Sequence, residues 1–104
     1  MNSLSDLQPW LYPYARELLR RAAPLGAVLT STRRTREEQA QLYARYIRGE
    51  RGYPVAPPGR SLHEAGRAFD VAAPPWVLTA MGELWEYWGG RWGGRFGDPI
   101  HFEA

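Results

Sequence analysis

Hydrophobic residues recur at helical spacing in two stretches of the first half of the chain. In residues 9–23 an apolar side chain returns every three or four positions, until a Pro-Leu-Gly segment interrupts the pattern. A second helix is predicted after Thr35, because Thr35 and Glu38 match a capping box, in which each side chain satisfies a free backbone N–H group. It should reach about residue 48. Its buried side is expected to comprise Gln39, Leu42, Tyr43, Tyr46 and Ile47.

Shorter patterns predict strands and loops around these helices. Residues 27–30 are β-prone and flanked by a glycine and a polar turn, and residues 66–72 alternate small, apolar and charged side chains, so both predict strands. Residues 49–60 are rich in proline, glycine and arginine, which predicts a loop that could border a groove. Two prolines open a third helix that should end near Trp88. Glycine pairs interleaved with aromatics then predict a tight hairpin leading to a last strand.

Composition limits the chemistry that the chain can support. Its 104 residues suit one compact domain, 1–104, and a hydrophobic content of 44% is enough for a real core. Trp85, Trp88 and Trp92 are expected in that core rather than in a sugar-stacking surface. Cysteine is absent, which excludes disulfides and thiolate zinc sites. A bound metal must therefore use histidine and carboxylate ligands.

Charge and hydropathy indicate the partners to expect. All 13 basic residues are arginines and the formal net charge is +2. Such a surface suits an anionic polymer, although a coding preference for arginine explains it equally well. No recognised nucleic-acid-binding motif is present, so no nucleic-acid partner is expected. No apolar stretch approaches the roughly 18 residues of a membrane span and the N-terminus lacks signal-peptide features, so we expect no membrane insertion and a cytoplasmic location at synthesis.

Both histidines of the chain lie in short segments that also carry an aspartate: S-L-H-E-A-G-R-A-F-D at residues 61–70 and D-P-I-H-F-E at residues 98–103. A hydrolytic zinc site takes three ligands from histidine and carboxylate and leaves one position for water. His63, Asp70 and His101 supply such a set. Asp98, three residues before His101, could act as the general base. Taken singly, each of these residues is more often structural, and only their conjunction predicts zinc.

Three segments are informative together: T-S-T-R-R-T-R-E-E-Q, S-x-H-x-x-G-x-A-x-D and W-G-G-x-W…F-x-D-P-x-H-F-E. They resemble the family of zinc D-Ala-D-Ala carboxypeptidases and L-alanyl-D-glutamate endopeptidases, from about Leu29 to the C-terminus. The resemblance implies an α+β domain of the D-Ala-D-Ala metallopeptidase and hedgehog type, with a central antiparallel sheet and about three helices. It also implies one zinc ion per chain, held by His63, Asp70 and His101, with Asp98 as the catalytic carboxylate.

The resemblance also implies substrate contacts. The family has an S-G-Y-R-S-type motif whose arginine binds substrate and steadies the developing oxyanion. The register of Gln39 places Arg34 at that position, with Arg33 as the alternative, and Thr32 and Arg33 stand where the family usually has Gly and Tyr. Ser61 and Gln39 are further candidates for substrate binding. Glu64 and Glu103 are expected to be solvated or to support the ligands.

The W-G-G-x-W…F-x-D-P-x-H-F-E pattern is more like the endolysin branch of this family. This predicts a monomeric enzyme that hydrolyses the L-Ala–D-Glu bond of peptidoglycan stem peptides after release, as a phage lysin or virion-associated protein does. One alternative is a D,D-carboxypeptidase, which needs a pocket closed at one end and a cation for the free carboxylate. The choice turns on the loop at residues 49–60. The other alternative is a non-catalytic module that binds cell wall or a partner.

Overall fold

The computed structural model describes residues 3–52 and 54–104. Within them, three α-helices accompany a four-stranded antiparallel sheet, in the chain order α1 (Tyr12–Ala22), β1 (Val28–Ser31), α2 (Arg36–Ile47), β2 (Ala68–Ala72), α3 (Pro75–Tyr87), β3 (Arg91–Trp92) and β4 (His101–Glu103). Short 3₁₀ turns occupy Leu4–Asp6, Ala23–Leu25 and Gly93–Phe96. The strand order across the sheet is β1-β2-β4-β3. The expected α+β fold with a central antiparallel sheet is confirmed.

The core lies on one face of the sheet, under α1 and α3. Phe69 of β2 stacks on Phe102 of β4 with ring centroids 5.4 Å apart, and meets the edge of Trp85 from α3 at 5.2 Å. Such aromatic pairs add directional contacts to the burial of apolar area. Trp85 and Trp92 are buried and Trp88 packs against the same cluster, as predicted. Because side chains alternate along a strand, Asp70 projects from the opposite face.

The capping box at the start of α2 is confirmed. The Thr35 hydroxyl accepts a hydrogen bond from the backbone N–H of Glu38 at 3.1 Å, and the Glu38 carboxylate accepts one from the N–H of Thr35 at 2.9 Å. The predicted burial of α2 is wrong toward its end, where Tyr46 is 36% and Ile47 64% exposed. Gln39 alone is buried among the five residues predicted. The side chains of Tyr46 and Ile47 thus stay open to solvent, and those of Leu42 and Tyr43 are only partly buried.

β3 and β4 pair antiparallel as the predicted hairpin, but the connection between them, residues 93–100, is not a tight turn. After β3, the Gly93–Phe96 turn folds back so that the N–H of Asp98 donates to the carbonyl of Gly93 at 2.8 Å. A side chain at Gly93 would place its Cβ 2.1 Å from the Asp98 carbonyl oxygen, so only glycine fits there. The connection therefore forms a compact turn that presents Asp98 before β4 begins.

None of the helices in residues 3–52 and 54–104 is long and apolar enough to cross a bilayer.

Candidate metal centre

Strand register brings two of the predicted ligands together. Asp70 on β2 pairs directly with His101 on β4, and His63 approaches from the turn that precedes β2. His63 Nε2 and His101 Nδ1 lie 3.2 and 3.3 Å from the same oxygen, Oδ1 of Asp70. One ligand atom from each residue falls within 4.8 Å of the others. Two imidazole nitrogens and one carboxylate oxygen can thus converge on a single ion.

The orientation of His63 is fixed from behind. Its Nδ1 lies 2.7 Å from the backbone carbonyl of Thr32, and a carbonyl only accepts, so Nδ1 carries the hydrogen and Nε2 presents its lone pair to the site. The backbone N–H of His63 donates to the Ser61 hydroxyl at 3.1 Å, which fixes the turn. His63 is buried. A histidine whose second nitrogen is held in this way is the usual arrangement of a metal ligand.

His101 is held by a carboxylate instead. Its Nε2 lies 2.7 Å from Oε1 of Glu103, two residues on along β4, so that Nδ1 faces Asp70. Burial alone would lower the pKa of His101, but its hydrogen bonds to Asp70 and Glu103 outweigh burial and raise this pKa to about 9. The hydrogen bond to His101 also holds the pKa of Glu103 below its usual value. The site therefore favours a positive charge at the point where the ligand atoms meet.

Asp70 stays ionised because His101 and Arg34 both contact it. Burial raises its pKa, yet the hydrogen bond to His101 and the charge of Arg34 bring the pKa well below the ordinary value. Nη2 of Arg34 donates to Oδ2 of Asp70 at 2.8 Å, which leaves Oδ1 directed at both histidines. Nη1 of Arg34 donates to the Gln39 side chain, whose amide nitrogen donates in turn to the Ala56 carbonyl. Arg34 thus orients a ligand, and its contact with substrate stays a prediction.

Asp98 differs from Asp70 in its hydrogen bonding and in the direction in which its pKa is shifted. Its Oδ1 is buried and has no hydrogen-bond partner in the part of the chain that the structure describes. Burial raises the pKa of Asp98, and the nearby charge of Asp70 raises it further, against the opposing charges of His101 and Arg51. Asp98 does not belong to the group that could hold a metal. An unpartnered carboxylate with a raised pKa beside a metal site suits a general base.

These side chains open into one cavity of about 480 Å³. Every residue assigned to the site from sequence lines it: His63, Asp70, His101, Asp98, Arg34, Ser61 and Gln39. The alternative, Arg33, lies along a different surface groove, so Arg34 is the arginine that faces the site. Glu64 accepts from the backbone of Gly59 and Ser61 and stabilises the turn before His63.

Two supporting groups were missed or left open by sequence reasoning. Glu103 was expected to be either solvated or supporting, and the structure places it behind His101. Its position two residues after His101 on a strand was a usable signal, since such residues share a face. The Thr32 carbonyl behind His63 has no signal in sequence, because it is a backbone atom.

Comparison with known proteins shows the fold. No family model matches the chain, and no curated protein matches it. The vancomycin resistance D,D-pentapeptidase VanY from the VanB-type cassette, solved as a point mutant with Zn(II), superposes with a TM-score of 0.71 at 22% identity, over 94% of this chain and 72% of that one. VanYB in complex with D-alanine-D-alanine gives 0.71 and 22%, over 94% and 71%.

A third structure extends the comparison. The D,D-dipeptidase VanXYg, in complex with a D-Ala-D-Ala phosphinate analogue, superposes with a TM-score of 0.73 at 17% identity, over 94% of this chain. The chain spans 50% of the length of VanXYg. Together the three show that this chain has the fold of the D-Ala-D-Ala metallopeptidases.

Proposed function

We propose that the chain is a zinc-dependent peptidase that hydrolyses peptide bonds of bacterial cell-wall stem peptides. The observation that carries this proposal is the convergence of His63, Asp70 and His101 in one cavity that is also lined by Asp98, whose Oδ1 has no hydrogen-bond partner among the described residues. The fold adds support, since proteins that share it were solved with Zn(II) and with D-alanine-D-alanine. The proposal takes a peptide of this kind as the substrate.

The donor set fits zinc. Two histidine nitrogens and one carboxylate oxygen are a common set for catalytic zinc, and three protein ligands leave a position for water or substrate. The second nitrogen of each histidine is already held, by the Thr32 carbonyl and by Glu103, so the rings are oriented before an ion binds. When bound, zinc supplies Lewis acidity, which polarises a carbonyl and lowers the pKa of water toward about 7.

The chain's own residues then divide the remaining work. Asp98 accepts a proton from the attacking water while the water oxygen bonds to the scissile carbonyl carbon. The same carboxyl returns that proton to the leaving nitrogen when the C–N bond breaks. Arg34 fixes the ionised Asp70 through the 2.8 Å hydrogen bond to Oδ2. Its remaining N–H groups are the proposed donors to the substrate, where they would steady developing negative charge.

The bond that is cut has two candidates. The W-G-G-x-W…F-x-D-P-x-H-F-E pattern favours an L-Ala–D-Glu endopeptidase of the endolysin branch. The proteins of the same fold are D,D-peptidases, which favours the D,D-carboxypeptidase alternative. The non-catalytic alternative has less support, because a binding module has no need of a carboxylate oxygen that is buried without a hydrogen-bond partner among the described residues, beside a ligand triad.

Mass spectrometry of digested peptidoglycan and of a synthetic stem pentapeptide ending in D-Ala-D-Ala separates these candidates. New N-terminal D-Glu with the terminal D-Ala intact identifies the endopeptidase. Release of single D-Ala residues with the L-Ala–D-Glu bond intact identifies the carboxypeptidase. If the zinc-reconstituted protein cleaves neither substrate, the proposed function is wrong.

A further inference from the structure

The cavity above the metal centre holds more arginine than the chemistry described so far uses. Arg51, Arg60 and Arg91 line it in addition to Arg34. Arg91 is exposed and lies 3.2 Å from Oε2 of Glu103. Both terminal nitrogens of Arg34 already donate to Asp70 and Gln39. The guanidinium groups of Arg51 and Arg60 therefore have no role in the chemistry described above.

Arg51 differs from Arg60 in its burial. Its Nε is buried and has no hydrogen-bond partner within residues 3–52 and 54–104, whereas Arg60 is an exposed residue at the edge of the cavity. A buried N–H donor without an acceptor is costly, and native structures contain few of them. An anion that enters the cavity would supply the missing acceptor.

The charge of Arg51 is felt at the reacting groups. It opposes the rise in the pKa of Asp98, and it contributes to the lowered pKa of Arg34. Arg51 and Asp98 line the same cavity, so a group bound to Arg51 can lie beside the scissile bond. A guanidinium also matches a carboxylate in shape, since its parallel N–H groups can engage both oxygens.

We propose that Arg51 binds a carboxylate of the peptide substrate next to the scissile bond and so determines which bond is placed at the metal centre. This inference rests on the proposed function and assigns a specificity residue to it. A stem peptide offers two such carboxylates, the terminal one of D-Ala and the free α-carboxylate of a γ-linked D-Glu. The first would make the loop that carries Arg51 the closed end of a carboxypeptidase pocket. The second would place it along an endopeptidase groove.

Kinetics with amidated substrates test the assignment. We would measure kcat/KM for the wild type and for Arg51→Gln on three stem pentapeptides: the free acid, the peptide amidated at the terminal D-Ala, and the peptide amidated at the D-Glu α-carboxylate. For the wild type, one amide should lower kcat/KM by roughly 10- to 150-fold, the range expected for a charge-assisted hydrogen bond. Arg51→Gln should show a similar loss on the free acid and no further loss on that amide. The amide that lowers the wild-type rate identifies the carboxylate that Arg51 binds.

Matched controls separate recognition from folding. Arg48→Gln removes an exposed arginine from the same segment, one that pairs with Glu50 and does not line the cavity, and should leave all three rates unchanged. Arg51→Lys keeps the charge and loses the paired donors, so it should recover part of the activity. This variant replaces Arg51→Gln if thermal melts show that the glutamine variant unfolds.

Failure of this inference differs from failure of the proposed function. If Arg51→Gln remains as sensitive to amidation as the wild type, Arg51 does not bind the carboxylate, although the peptidase proposal stands. If the wild type discriminates against neither amide, the inference is equally overturned. Calorimetric titration of Asp98→Asn protein with the free acid and with the amides provides a readout that does not depend on turnover. If the peptides are neither cleaved nor bound, the proposed function falls, and this inference falls with it.

Discussion

Removal of the Glu103 carboxylate should weaken zinc binding without removing any ligand. Glu103 is 9% exposed, and its Oε1 lies 2.7 Å from Nε2 of His101, a short contact with the nitrogen that faces away from the site. This hydrogen bond keeps the ring in place and makes the other nitrogen a better donor to a metal. Partners of this kind typically contribute 10- to 100-fold to metal affinity, which corresponds to about 1.4 to 2.7 kcal/mol.

The two substitutions at this position should differ in size. Glu103→Gln keeps an acceptor at the same place and loses only the charge, so we expect an effect near 10-fold. Glu103→Ala loses both charge and hydrogen bond, so we expect an effect near 100-fold. Zinc dissociation constants can be measured by competition with a chromophoric chelator, with circular dichroism to verify folding.

The matched control is Arg91→Gln, which removes the other partner of Glu103 and leaves His101 untouched. The Arg91 side chain is 71% exposed, and exposed ion pairs contribute at most about 1 kcal/mol. Its zinc affinity should therefore change by less than about fivefold. Wild-type zinc affinity in both Glu103 variants would show that metal binding by His101 does not depend on this hydrogen bond.

Three further predictions concern the same site. Asp98→Asn should keep zinc content and melting temperature and lose about 10²- to 10⁴-fold in kcat, and loss of zinc would instead make Asp98 a ligand. Gly93→Ala should lower the free energy of unfolding by about 1 to 3 kcal/mol in denaturant titrations, because the added Cβ meets the Asp98 carbonyl. Gly52→Ala is the control, since the added Cβ there meets open space and should leave stability unchanged. Equal effects of the two substitutions would show that the close contact at Gly93 does not constrain the turn. Removal of zinc with a chelator should lower the melting temperature and abolish hydrolysis, both restored by added zinc, and a melting temperature independent of zinc would show that the folded chain does not bind it.

The ligand triad could be predicted from sequence because its members occur in two short segments with few other metal-binding residues in between. The geometry that joins them could not. Asp70 and His101 are neighbours only because β4 pairs with β2 although α3 and β3 separate the two in sequence. That strand order also stacks Phe69 on Phe102 in one core, a pairing that no local pattern expresses.

Arg34 illustrates a second limit. Its position in a motif suggested a substrate contact, yet its terminal nitrogens hold Asp70, 36 residues away, and Gln39. Arg51 lies in a loop whose sequence contains no motif that marks it as a site residue. Its proposed role depends on the burial of a single nitrogen atom. The same limit explains α2, where helical periodicity could not indicate that Tyr46 and Ile47 stay exposed. Local patterns predict elements and residue types, whereas pairing between distant side chains depends on packing.

The proposed function depends above all on one zinc ion held by His63, Asp70 and His101. An anomalous difference map from crystals of the zinc-reconstituted protein, recorded on both sides of the zinc absorption edge, tests it most directly. We expect one peak per chain, about 2.0 to 2.2 Å from Nε2 of His63, Nδ1 of His101 and a carboxylate oxygen of Asp70, with Asp98 nearby but not bound to the metal. No peak at these residues, or a peak coordinated through the outer nitrogen of either histidine, would contradict it.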